Sequence, residues 1–485
     1  MRTAPSGLSP NDTTISDKRN FVGVLAVKPE GTNIRTRRSM RQNTARWKFA
    51  ITALTAVFFL GGCRTVSLPQ AKIERRAEPE TLTWEGLVRQ TLSRNPDLRG
   101  ARSRVTSAAR NRDIALGDFL PSVEGSMQKN VSRKTMPGAH ADTLSLDINA
   151  SQNLFNGFGT TGDWIKARKE LEAARMAYDE TSADVRYRLR SSYISVIRLE
   201  RLLKTNRQIL ERRKQNAEMV RLRYEAGREN VGSALRAEAI ADQAGFDVKQ
   251  TERLLEKESL RLARESGGDF LLPLRITDGL EKMLGGVTLS EADYVALAEK
   301  TPAVMRLLKT AEASRANVVS AQSAVWPRVD GTYEYGYTGD RASRLKDQSS
   351  LGVRVSVPFF EGGKNVAAIR KAKADYDAAE SAAKSARDEA IAALSAAWVP
   401  YADAVDAVSV KKKFLEAAQK RAEIIRAEYT SGLVNFTDFD TAEQENANAE
   451  KDYVESLADV FTQQANWEKT QGATLEDAYD EIVTP

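Results

Sequence analysis

Cysteine and histidine are nearly missing from this chain of 485 residues, which has Cys63 and His140 and no others of either type. One thiol makes no internal disulfide, and one thiol with one imidazole cannot build a His/Cys metal cluster. Prolines number only 14, too few for a low-complexity chain. Glycine and proline are also unevenly spread, and neither occurs between Asp163 and Ala226. Sixty-four residues without a breaker describe one helix of about 96 Å, at 1.5 Å per residue. Paired carboxylates, nucleophile motifs and phosphate-binding loops are not apparent, so no enzymatic step is expected. The net charge of +6 is small for 72 basic and 66 acidic residues, and the basic excess lies before Cys63. Clustered arginines such as Arg186, Arg188 and Arg190 fall on a helix whose other turns carry glutamate, which argues against nucleic acid as a partner.

What the chain does have begins with an address. Arg41, Arg46 and Lys48 precede an apolar run from Phe49 to Leu60, followed by Gly61, Gly62 and Cys63. These are the charged, apolar and small-residue zones of a secretory signal. The run of 12 is short of the roughly 20 residues that cross a bilayer as a helix. Leu60-Gly61-Gly62-Cys63 resembles a bacterial lipobox, which implies a covalent lipid on Cys63 and, with Arg64 following, an outer-membrane destination. Residues 1–62 are therefore expected to be leader and signal, starting either at Met1 or at Met40, and 63–80 a lipid-anchored linker.

The remainder is one unit written twice. Asn95-Pro96 and Leu120-Pro121 recur as Thr301-Pro302 and Trp326-Pro327, at an offset of 206. Asn153-Leu154-Phe155-Asn156-Gly157 meets Pro358-Phe359-Phe360-Glu361-Gly362 at 205, and Tyr224-Glu225-Ala226-Gly227 meets Tyr429-Thr430-Ser431-Gly432 at the same offset. Such self-similarity precedes any other reading of the fold. The expected class is mainly α with a small β part, each copy running helix, strand, strand, very long helix, helix. The copies span 81–266 and 288–471, joined by a linker at 267–287 and followed by a tail at 472–485.

In each copy a helix, starting near Thr83 in the first, is expected to run unbroken to the Leu120-Pro121 type of stop. Strands follow at about 122–155 and 328–360. Leu144, Leu146, Ile148 and Ala150 alternate with polar residues, as do Leu351, Val353, Val355, Val357 and Phe359, while Tyr333, Tyr335 and Tyr337 mark a third strand. Such alternation suits either a membrane barrel or a half-buried soluble sheet. Four strands cannot close a barrel, for which about eight are needed, so lipid-facing strands would have to be shared among several chains. The long helix Lys364–Ser431 contains Pro400, where a kink or break is expected. His140 is expected in the loop between the first two strands, as a surface residue and not a ligand.

The lipobox, duplicated plan, Phe-x-Gly strand exits and paired Tyr-x-x-Gly turns together resemble the TolC family of outer-membrane channel proteins over roughly residues 81–471. The resemblance implies a homotrimer with a 12-stranded membrane barrel continued by a long α-helical periplasmic tunnel. It also implies an inner-membrane transporter and a periplasmic adaptor as partners, outer-membrane lipid around the barrel, and no cofactor. The duct would carry small molecules, the alternative being the outer-membrane component of type I protein secretion. A coiled-coil adaptor or structural lipoprotein would share the helices and the cysteine, but has no need of four symmetric strands. In the family the tunnel tip is closed by links around the Tyr-x-x-Gly turn and lined by acids just after it. That carries over to Tyr429, Gly432 and Asp438, with Tyr224 and Gly227 at the other turn as tips available to an adaptor. Departures are Val434, where a linking arginine can stand, and Thr441, where a second aspartate can stand; Asp440 lies one position away. Asp438 and Asp440 would otherwise be solvated carboxylates favoured by the start of a helix, and the glycines simple helix ends.

Overall fold

A computed structural model of the chain describes residues 81–133, 140–268, 275–276, 280, 293–339 and 345–483. The leader, Cys63 and the linker to residue 80 lie outside the described residues, as does most of 267–287.

Each copy opens with a helix broken once, contrary to the single helix expected. In the first copy α1 (Trp84–Arg94) stops at Asn95, and α2 (Pro96–Gly117) starts beside it. Pro96 disfavours helical dihedrals at the residue before it, and Asn95 sits at φ −61°, ψ 125°. Its side-chain oxygen caps the amides of Asp97 and Leu98, while its amide donates to the carbonyl of Glu265 at 2.7 Å. The strands β2 (Ser122–Arg133) and β3 (His140–Phe155) follow. They are preceded in the chain by the short β1 (Thr81–Leu82). His140 therefore opens β3, its backbone opposite Arg133, and is not a loop residue. Then come α3 (Gly159–Glu225), of 67 residues and about 100 Å, and α4 (Val231–Ser266).

The second copy repeats this order after β4 (Arg275–Ile276), which pairs in parallel with β1. Its elements are α5 (Tyr294–Ala298), α6 (Pro302–Gln322), β5 (Arg328–Gly339), β6 (Lys346–Ser356), α7 (Lys364–Ser431) and α8 (Phe436–Gln471). Val357 and Phe359, expected in the last strand, lie beyond β6, because Pro358 has no N–H for a ladder. A break at Pro400 is absent, since α7 runs through it. Ala397, Tyr401 and Ala404 are buried on both sides of that proline, so packing holds the helix where one backbone bond is lost.

Backbone conformations repeat as faithfully as the elements. Each second strand leaves through two consecutive left-handed residues, Gly157 and Phe158 in one copy and Gly362 and Gly363 in the other. Phe158 is the single non-glycine with positive φ among the described residues, and its ring meets Phe155 edge-on at 5.7 Å. The residues 472–485, expected to be a tail, contain a further helix, α9 (Leu475–Val483). Leu475 and Ala478 are buried with Leu87, Tyr193 and Trp467 in the main core, and Glu476 accepts from Tyr178 and Ser182 of α3.

The four longer strands form one antiparallel sheet in the order β2-β3-β5-β6. Residues directly opposite one another share a face, and the register puts Met127, Leu146 and Tyr337 in one row and Ala150, Tyr333 and Leu351 in another. Most of this face is apolar, with Lys129, Asp347 and Ser349 also on it, and it is open: Leu351 is 83% exposed and Met127 71%. Glu124, Asp147, Asn149, Glu334 and Arg354 line the opposite face. Helices α2, α3, α6 and α7 pack side by side in the half next to the sheet, and α4, α3, α8 and α7 in the half ending at the turns.

Candidate functional site at the helical turns

The two hairpins α3–α4 and α7–α8 end in turns built by the same local chemistry. Gly227 at φ 71° and Gly432 at φ 80° terminate the long helices, with the amides of Arg228 and Leu433 closing back on the carbonyls of Arg223 and Glu428. This is a left-handed helix stop that glycine fills without strain. Asn230 and Asn435 then cap the returning helices by accepting from the amides of Ser233 and Asp438, both at 2.9 Å. Each turn is thus a glycine, a short link and an asparagine.

The duplicated tyrosines have opposite surroundings. Tyr224 is 43% exposed, whereas Tyr429 is 1% exposed. Tyr429 stacks on Phe439 with ring centroids 4.6 Å apart, in an apolar cluster with Phe436, Val220 and Ala234 that also takes in Val434. Its hydroxyl donates to Glu229 of the other hairpin at 2.8 Å. Arg223 lies over its ring at 4.6 Å and donates to the carbonyls of Tyr429 and Thr430. Burial, then the Glu229 bond, pushes the Tyr429 phenol above its ordinary value of 10.0. Burial opposes ionisation of Glu229, but hydrogen bonds from Tyr429, the Asn230 amide and Ser233 outweigh it and hold the carboxyl below 4.5. A depressed carboxyl stabilises the fold above its ordinary value and loses that contribution as pH falls through the depressed one. A raised phenol does so below 10.0 and loses it at higher pH, so this link is intact through the neutral range.

Asp438 and Asp440 do not share a role. Asp438 is exposed in the first turn of α8, its amide held by Asn435. Asp440 is only 7% exposed and meets Arg213 at 3.3 Å and Arg236 at 3.0 Å, both from the first hairpin. It is neither solvated nor open to a passage in this chain, and Arg213 extends the link to Gln444 at 2.9 Å. Arg426 anchors Glu443 beside it, within the second hairpin. The turns therefore bring Tyr429 and Asp440 into one inter-hairpin clasp and leave Tyr224, Gly227, Gly432 and Asp438 on its outside. Arg213, Arg223, Glu229 and Arg236 complete the clasp and were not singled out by sequence. The repeat offset offered a signal for one of them, because Glu229 occupies the position in the first copy that Val434 occupies in the second.

Residues 87–268 and 294–473, one block in each copy, match the family model described as outer membrane efflux protein. The outer membrane efflux protein BepC of Brucella suis biovar 1 is 24% identical over 344 residues, covering 70% of this chain and 74% of that protein. The open state of the MtrE outer membrane channel of Neisseria gonorrhoeae has the same fold, with a TM-score of 0.74 at 19% identity over 81% of this chain and 89% of that one. CusC aligns with a TM-score of 0.75 at 18% identity, over 82% of this chain and 95% of that one. The duplicated blocks, the sheet and the paired hairpins thus agree with the family match: the chain belongs to the outer membrane efflux proteins, the TolC family of outer-membrane channels, which are transport conduits without a catalytic step.

Proposed function

We propose that three copies of this chain form the outer-membrane channel of a tripartite export system and serve as the passive exit for small molecules. An inner-membrane transporter would supply the cargo through a periplasmic adaptor. The observation that carries this reading is the four-stranded sheet, whose apolar face is uncovered and whose edge strands β2 and β6 each have a described strand on one side only. A lipid-facing sheet cannot end in open edges, because nothing in hydrocarbon satisfies the free amides and carbonyls. Three copies supply 12 strands, above the roughly eight needed for closure. The polar face then lines a passage, and α3 and α7 carry that passage about 100 Å away from the membrane to the turns.

In this arrangement Asp438 rings the narrow end, the clasp of Tyr429 and Asp440 holds the two hairpins of each copy together, and Tyr224, Gly227 and Gly432 face the adaptor. Cys63 carries a lipid that tethers the first copy of the repeat to the outer membrane; a bare cysteine in the mass of the mature N-terminal peptide would refute the tether alone. The function is tested by retention of a fluorescent efflux dye in cells lacking the protein and in the same cells complemented with the full chain. Higher retention that complementation reverses is expected. Unchanged retention across several dyes of differing charge would overturn small-molecule efflux.

A further inference from the structure

The last helix, α9, is short, and its seat on the rest of the chain consists largely of hydrogen bonds that a change of charge can alter. It begins just after Gly472, where α8 ends. Thr474 and Asp477 cap it reciprocally, the amide of Thr474 donating to Asp477 at 2.7 Å and the amide of Asp477 to the Thr474 hydroxyl at 3.2 Å. Leu475 and Ala478 are buried in the core, and Arg89 of α1 lies over the ring of Tyr479 at 5.8 Å. Further contacts come from one stretch of α3. The fully buried Ser182 accepts from the amide of Leu475 at 3.0 Å, and Arg186 donates to the carbonyl of Thr474 at 2.9 Å. The hydroxyls of Tyr178 and Ser182 both donate to Glu476.

Asp179 stands in the same stretch, one residue after Tyr178 and on the face of α3 that carries Ser182, three residues further on. It is half-buried and lies near the carboxylates of Glu476 and Asp477, and among the described residues it has no ion pair or hydrogen bond. The cations brought to this stretch by neighbouring elements are engaged elsewhere. Arg102 of α2 meets the hydroxyl and ring of Tyr178, Arg306 of α6 pairs with Glu180, and Lys469 of α8 pairs with Asp184. Arg186, on α3 itself, pairs with Glu468.

We infer that α9 is a proton-controlled latch, seated firmly when Asp179 is protonated and loosened when Asp179 is ionised and meets the charges of Glu476 and Asp477. Burial, then those two charges, holds the Asp179 carboxyl above its ordinary 3.8. A carboxyl raised by docking contributes to docking fully below its ordinary value, and the contribution is lost as pH rises through the raised one. Acid therefore tightens α9, and neutrality relaxes it. Because α9 continues from α8, the latch sets how firmly the end of that helix is held to α1 and α3. All of its groups lie within one chain, so the inference does not rest on the channel proposed above.

Hydrogen exchange of the purified full chain tests the latch, read on the peptides of α9 relative to those of α6 and normalised at each pH to the intrinsic rate. In the unaltered chain, protection of α9 should rise several-fold as pH falls from about 8 to about 5. Asp179→Asn, uncharged at every pH, should show near pH 8 the protection that the unaltered chain reaches only in acid, and its profile should be flat over that range. Glu476→Gln removes one of the two facing charges, while its amide oxygen can still accept from Tyr178 and Ser182. In that background Asp179→Asn should add less protection than it adds alone. If Asp179→Asn fails to fold, the profile of the unaltered chain against that of Glu476→Gln decides, the second being the shallower. Protection of α9 that is flat with pH in the unaltered chain would overturn the latch, as would a pH dependence that survives Asp179→Asn.

Discussion

Asp438 and Asp440 are two positions apart, yet a helix turns the first outward and the second inward, and replacing each has a different consequence. Asp440→Asn takes from Arg213, whose side chain is 6% exposed, the carboxylate it is paired with, leaving only the Glu443 charge nearby. Removing one partner of a buried ion pair costs about 3 kcal/mol at the lower end of the usual range, and the bond of Arg213 to Gln444 keeps the cost there. Amide exchange in α3, α4 and α8 near the turns should quicken by roughly a hundredfold, which is what that energy means for a local opening. Asp438→Ala removes an exposed carboxylate whose cap bond uses only its backbone, so exchange should not change. In the assembled channel, block by multivalent cations should weaken instead. Unchanged exchange in the first variant would remove the clasp, and unchanged conductance in the second would remove the acidic ring.

Among the described residues, four helix ends stop at a left-handed glycine, but the space around them differs, and stability should follow the space. Gly432 has only the tip of Arg223 at 4.0 Å from a Cβ built on it. Gly472 has Cδ of Pro302 at 2.1 Å, because α8 ends against the start of α6. Alanine at Gly432 meets only the left-handed penalty, about 1 kcal/mol, whereas alanine at Gly472 adds an overlap with a rigid ring and should cost about 3 kcal/mol. Thermal midpoints of the two purified variants should rank in that order, and equal midpoints would refute the packing argument. Much at this scale was legible in the sequence: the offsets of 205 and 206, the long helix from Lys364 to Ser431 and the alternation of the strands all rest on local periodicity. The break at Asn95 was signalled by Pro96 and missed, since the helical pattern resumes at once. What could not be read were contacts between distant residues. Arg213 and Asp440 lie 227 positions apart, and nothing local marks one arginine among many as buried. The repeat itself misled at Tyr224 and Tyr429, because equivalent positions fall on inequivalent neighbours when a chain holds only two copies and leaves the outer flank of each unpaired.

For the molecule as a whole, the decisive quantity is the solvent that each face of the sheet requires. The apolar face runs across all four strands without a helix to cover it, and the polar face runs parallel to it, a division that a soluble protein would have to bury and a membrane barrel has to expose. Leu146 lies in the middle of this face between Met127 and Tyr337, while Asn149 lies on the other face between Glu124 and Glu334. Leu146→Arg should therefore cost about 2–4 kcal/mol per chain if the face meets the bilayer midplane, and the cost is incurred three times in a trimer. The variant should be depleted from the outer-membrane fraction and lose its heat-resistant trimer, while Asn149→Arg should assemble normally and change only the conductance. Normal assembly of both would mean that protein, not lipid, covers the apolar face. Loss of both would mean that the sheet tolerates no added charge on either side, and the passage along its polar face would have to be abandoned with the barrel.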